Sequence, residues 1–70
     1  MDENMFATKL KSVRLEKGLR QSDVANLFGW TSQYYARYEK GQLLPTKYNY
    51  KRFAEFMGIS IQELTELLKL

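Results

Sequence analysis

Residues 21–41 read QSDVANLFGWTSQYYARYEKG. Two short runs with helical patterning flank Gly29, and the second carries Tyr34, Tyr35, Arg37 and Tyr38. The spacing predicts a helix over about Gln21–Phe28, with Val24, Ala25 and Phe28 facing inward. It predicts a second over about Ser32–Lys40, with Thr31 as its N-cap. Only Gly29, Trp30 and Thr31 lie between them. At 100° per residue, Gln33, Ala36, Arg37 and Lys40 share one face of the second helix. Thr31, Tyr35 and Tyr38 lie opposite, so the two tyrosines are expected in the core. Tyr34 falls on one flank and Ser32 on the other.

Working outward, four glycines organise the chain. Gly18, Gly29, Gly41 and Gly58 each follow a helical pattern and precede an apolar residue, directly or after one residue. Glycine adopts the left-handed conformation that ends helices, and an apolar residue after it folds back on the last turn. A first helix is expected over about Asn4–Lys17, with Phe6, Leu10 and Val13 at core spacing. A fourth follows Pro45 with Thr46 as its cap, and turns Tyr50, Phe53, Ala54 and Met57 inward. A fifth opens on the capping box Ser60-Ile61-Gln62-Glu63, with Ile59 and Leu64 as a hydrophobic staple. No alternating strand pattern or hairpin signal interrupts the series. The expectation is an all-α, compact five-helix domain spanning residues 1–70, in which helices 2 and 3 form a helix-turn-helix.

Composition narrows the chemistry. The 70 residues suffice for one small domain, with little room for a ligand-sensing or self-cleaving second one. There is no Cys and no His. Disulfides and thiolate metal sites are thereby excluded, as are the commonest metal ligand and general base. No carboxylate pair is clustered, so an enzyme is not expected and no metal or cofactor is implied. No apolar run approaches the roughly 18 residues of a membrane span. The start, MDENMF, lacks a basic leader followed by an apolar stretch, so a cytoplasmic protein is expected. Between Lys9 and Arg52 stand ten basic and three acidic residues, a local balance of +7. A basic middle suits a polyanion, most simply nucleic acid, or else forms a solvated surface.

The register of particular residues carries a resemblance. Gln21, Ala25, Gly29, Thr31, Tyr35, Glu39, Gly41 and Pro45 match the motif of the lambda-repressor-like (XRE, Cro–CI type) helix-turn-helix family. Phe6, Leu10, Arg14, Gly18 and Leu19 resemble its first-helix pattern. Phe53-Ala54, Met57 to Ser60 and Leu64 resemble its fourth and fifth helices. The resemblance covers nearly the whole chain and implies a DNA-binding transcription regulator, most simply a small Cro-like repressor. Such a protein binds a pseudo-palindromic double-stranded operator as a homodimer. By the same correspondence Ser32, Gln33 and Arg37 take base-reading positions on helix 3. Gln pairs bidentately with adenine and Arg with guanine. Arg14 and Glu39 are expected to form an ion pair between helix 1 and the end of helix 3.

Phosphate contacts are expected from Gln21, Thr31, Lys40 and Lys47, with Arg20 as a further reach. Tyr34 reads equally as a phosphate contact or as a partly packed aromatic. Arg20 departs from the family's usual Ser or Thr cap, and Trp30 from a smaller aliphatic residue. Trp30 is read either as buried in the turn or as stacked on sugar-phosphate. Lys51 and Arg52 read as solvated surface or, less simply, as contacts to the DNA backbone. Leu64, Leu67, Leu68 and Leu70 are candidates for a weak dimer contact. They also support an alternative, a protein-binding module such as an antitoxin that holds a toxin or co-regulator through its leucine-rich C-terminus.

Overall fold

The computed structural model describes residues 4–69. Five helices follow in order: α1 Met5–Glu16, α2 Gln21–Phe28, α3 Ser32–Glu39, α4 Lys47–Met57 and α5 Ile61–Lys69. Their starts follow from local chemistry. The Asn4 carboxamide accepts from the Ala7 N–H at 2.7 Å, and the Thr31 hydroxyl accepts from the Tyr34 N–H at 3.1 Å. Both satisfy amides that a helix leaves open at its N-terminus. At α5 the box closes reciprocally: Ser60 Oγ accepts from the Glu63 N–H at 3.0 Å, and Glu63 Oε1 from the Ser60 N–H at 3.1 Å.

Two starts differ from the sequence reading. Thr46 has extended cap geometry, but its side chain makes no capping bond. The Asn49 N–H turns instead onto the Thr46 carbonyl at 2.9 Å. At α2, Arg20 offers no acceptor, yet Asp23 supplies the other half of the cap. Its Oδ2 accepts from the Arg20 N–H at 2.8 Å. A first-turn carboxylate also complements the helix dipole.

All four glycines have positive φ. At Gly29 this conformation makes the turn of the motif. With φ at 76°, the chain reverses so that the Trp30 N–H reaches the Ala25 carbonyl at 2.9 Å and the Gly29 N–H reaches Asn26 at 3.2 Å. These two bonds cap α2 and bring Trp30 back over its last turn.

The core draws on every helix: Phe6, Leu10 and Val13 of α1, Val24, Ala25 and Phe28 of α2, and Tyr35 and Tyr38 of α3. Phe53, Ala54 and Met57 of α4 and Leu64 of α5 complete it. α2 packs on α3, α1 on both α3 and α5, and α4 on α5. Tyr50 is only half-buried, at the rim rather than inside. Leu64, a candidate dimer contact, is fully buried (0% exposed) within its own domain and has no surface to offer a partner. Leu67 and Leu68 are half-buried against the core, and Leu70 lies outside the described residues. Leu15 and Leu44 are exposed.

Arg52, read as solvated surface, is exposed as expected and also has a structural position. Its Nη2 donates to the Phe28 carbonyl at 2.6 Å, one of the acceptors left open at the end of α2. Its guanidinium lies 4.9 Å from the Phe28 ring centroid and 5.5 Å from that of Trp30. Arg52 thus ties α4 to the turn of the motif. Arg52→Ala is expected to lower stability by about 1–2 kcal/mol in urea denaturation, through the lost charged hydrogen bond and cation–π contact. Lys at this position has no planar fork and should recover little of it.

Candidate nucleic-acid interface

The site rests on a buried charge cluster. Arg14 on α1 and Glu39 at the end of α3 are both buried. Arg14 Nε donates to Glu39 Oε2 at 2.6 Å and Nη2 to Oε1 at 3.1 Å, a bidentate ion pair. Its Nη1 donates to the Leu19 carbonyl at 2.9 Å, holding the loop after Gly18. Glu39 also accepts from the Tyr35 hydroxyl at Oε2, and from Gln21 Nε2 at Oε1, 3.1 Å away. Each carboxylate oxygen therefore has two donors. The charge is balanced, and α1, α2 and α3 meet at one point.

Burial alone would push the Glu39 carboxyl up. The hydrogen bonds from Arg14, Tyr35 and Gln21 outweigh it and hold the group below the ordinary carboxylate range. The Arg14 guanidinium is raised in return, chiefly by its bond to Glu39. Burial, then the bond to Glu39, pushes the Tyr35 phenol up, so it stays a donor. A depressed folded-state value means that Glu39 adds stability above its unfolded value, and that this is lost as pH falls through the folded one. The urea midpoint is expected to fall on acidification below about pH 5, with a shallower slope in Glu39→Gln.

With its last turn anchored, α3 presents a defined outer face. Gln33, Arg37 and Lys40 are exposed, and Ser32 and Ala36 are half-buried. With Gln21 and Gln42 these residues line one shallow hollow of about 360 Å³. Among the described residues, no carboxylate lines it. Gln42 is the member that the sequence reading passed over; it lies beyond α3 in the loop after Gly41, where helical periodicity gives no signal.

The other candidates lie outside the hollow. Thr31 is exposed at the N-terminus of α3, and Lys47 at that of α4. Arg20 is exposed and paired with Asp23, Nη2 to Oδ1 at 3.2 Å. That bond raises the Arg20 guanidinium and lowers the Asp23 carboxyl. A phosphate reaching Arg20 meets this carboxylate beside it. The Gln21 amide is already turned toward Glu39.

Trp30 is half-buried in an aromatic cluster. It stacks on Phe28 at 4.8 Å and on Tyr38 at 5.2 Å, with Tyr34 edge-on at 5.0 Å. It is a packing residue of the turn. Tyr34 is half-buried, with its hydroxyl 3.1 Å from that of Tyr38.

Two short helices, a tight glycine turn and an outward polar and basic face on the second helix define a helix-turn-helix domain. The helix-turn-helix family model matches residues 10–64, and the chain belongs to that family in its lambda-repressor-like form, a family of DNA-binding regulators. It is 38% identical over 60 residues to the cryptic phage CTXphi transcriptional repressor RstR of Vibrio cholerae, covering 86% of this chain and 54% of that protein. It is 34% identical over 56 residues to the SPbeta prophage-derived HTH-type transcriptional regulator YonR of Bacillus subtilis (strain 168), covering 80% and 52%. The chain thus spans about half the length of these curated relatives. Among solved structures it resembles the restriction-modification controller protein C.AhdI from Aeromonas hydrophila. The TM-score is 0.69 at 32% identity, over 86% of this chain and 91% of that one. Among the described residues, no helix is long and apolar enough to cross a membrane.

Proposed function

We propose that this protein is a sequence-specific repressor of transcription that works in the cytoplasm by inserting α3 into the major groove of a pseudo-palindromic operator. The observation that carries the reading is the hollow, lined by no carboxylate among the described residues, that joins Ser32, Gln33, Ala36 and Arg37 on the outer face of α3. Ser32, Gln33 and Arg37 meet base edges, and the short Ala36 lets the helix sit deep against a thymine methyl. Gln21, Thr31, Tyr34, Lys40, Lys47 and Arg20 contact the backbone and set the register. Two copies associate weakly through the α5 surface, using Leu67 and Leu68, so that two recognition helices lie about one DNA turn apart. The phage transcriptional repressor and the prophage-derived transcriptional regulator among the relatives support this reading.

Selection of bound duplexes from random DNA, followed by gel shift across salt, tests it. Affinity is expected to fall steeply with salt. Arg37→Ala should lose preference at one base position, by about 1–3 kcal/mol, while Lys47→Ala weakens all sequences alike. Binding that ignores salt, or an unchanged sequence preference in Arg37→Ala, contradicts the reading. Sedimentation showing only monomer at high concentration, with and without a selected duplex, contradicts the dimer.

A further inference from the structure

The hydroxyl pair of Tyr34 and Tyr38 has a direction that burial decides. The two oxygens lie 3.1 Å apart, and one proton can bridge them either way. Tyr38 is 3% exposed, whereas Tyr34 is half-buried at the flank of the outer face of α3. If Tyr34 donated, the Tyr38 proton would be left buried with no acceptor, at a full desolvation cost. If Tyr38 donates, its proton is satisfied and the Tyr34 proton is free at the surface. Burial also pushes the Tyr38 phenol up, so it keeps the proton that it donates.

We propose that Tyr38 is a positioning residue that accommodates its own proton on Tyr34 and thereby turns the Tyr34 hydroxyl proton outward as a donor to a DNA phosphate. This rests on the groove-binding reading of α3. A helix about 10–12 Å across nearly fills a major groove about 12 Å wide. Residues on its flank therefore meet the groove walls, which are phosphates. A phosphate oxygen only accepts, so a wall contact needs a free donor proton. Tyr34 lies on this flank, and its ring is braced edge-on against Trp30 at 5.0 Å and Tyr38 at 5.5 Å. A braced ring loses little freedom on binding. The two readings of Tyr34, packing and phosphate contact, are then one arrangement: the ring packs and the proton reaches out.

The test uses the wild-type chain, Tyr34→Phe, Tyr38→Phe and the double variant. Each is titrated with one duplex selected from random DNA by the wild type, and with duplexes carrying a single methylphosphonate at successive linkages. Tyr34→Phe should bind the unmodified duplex about ten-fold more weakly. One linkage should exist at which the methylphosphonate weakens the wild type about ten-fold and Tyr34→Phe not at all. Thermal melts separate affinity from folding. Tyr34→Phe strands the Tyr38 proton and should melt lowest of the four. The double variant strands nothing, so it should melt higher than Tyr34→Phe while binding DNA no better. Tyr34→Phe binding as tightly as wild type, or losing affinity equally at every linkage, overturns the proposal. So does a double variant that melts no higher than Tyr34→Phe. Loss of salt-sensitive DNA binding in the wild type itself would end the groove-binding reading as well; failure confined to the variants would end only this one.

Discussion

Glu39→Ala is expected to destabilise the domain by about 3–5 kcal/mol, measured as the change in unfolding free energy in urea. Arg14 would lose both of its carboxylate bonds and remain buried, with only the Leu19 carbonyl as partner. The Tyr35 phenol, fully buried, would lose its acceptor as well. A small domain has roughly 5–15 kcal/mol in total, and one of 70 residues sits toward the low end. The variant should therefore be largely unfolded at 37 °C. Replacing the ion pair by apolar residues, Arg14→Met with Glu39→Leu, removes the stranded charge but still leaves the Tyr35 proton unsatisfied. Adding Tyr35→Phe should recover most of the loss. A neutral Glu39→Ala, or a triple variant no better than the single, would contradict this account.

Phe53→Ala is expected to cost a similar amount, about 3–5 kcal/mol by the same measurement. Phe53 is fully buried, and its ring touches aromatic partners from four other parts of the chain. Phe6 of α1 meets it edge-on at 5.2 Å, Phe28 of α2 lies at 4.9 Å, and Tyr38 of α3 at 5.1 Å. Trp30 in the turn lies at 5.8 Å. Removing the ring opens a cavity against four rigid side chains that cannot collapse into it. Phe53→Leu keeps much of the volume and should cost markedly less. Because Trp30 and Tyr38 lose a wall, Trp30 fluorescence in the alanine variant should shift toward that of an exposed indole before global unfolding. An unchanged spectrum and a cost below 1 kcal/mol would show that the cluster does not depend on Phe53.

Much of the fold was legible because it is written in local chemistry. The helix-ending glycines, Asn4, Thr31 and the Ser60–Glu63 box act within a few residues of themselves. Helical periodicity separated Tyr35 and Tyr38 from Gln33 and Arg37 for the same reason: two residues' relative face depends only on their spacing. The exceptions are also local. Thr46 stands at a cap position but does not bond, and Asp23 caps from inside the helix in place of Arg20.

What the sequence by itself determined is therefore the set of helices, the turn between α2 and α3, and the polar character of the outer face of α3. The tertiary structure decided which of several chemically equivalent groups are already occupied. Arg52 and Lys51 are alike as charges in sequence, yet only Arg52 meets an open carbonyl at the end of α2. Leu64 and Leu67 are alike as leucines, yet only Leu64 is consumed by the core. Gln21 and Gln42 come to line the same hollow from opposite sides of α3 in the chain. Burial and hydrogen-bond satisfaction depend on groups that are distant in sequence and adjacent in space. Periodicity, which compares a residue only with its neighbours, carries no record of them.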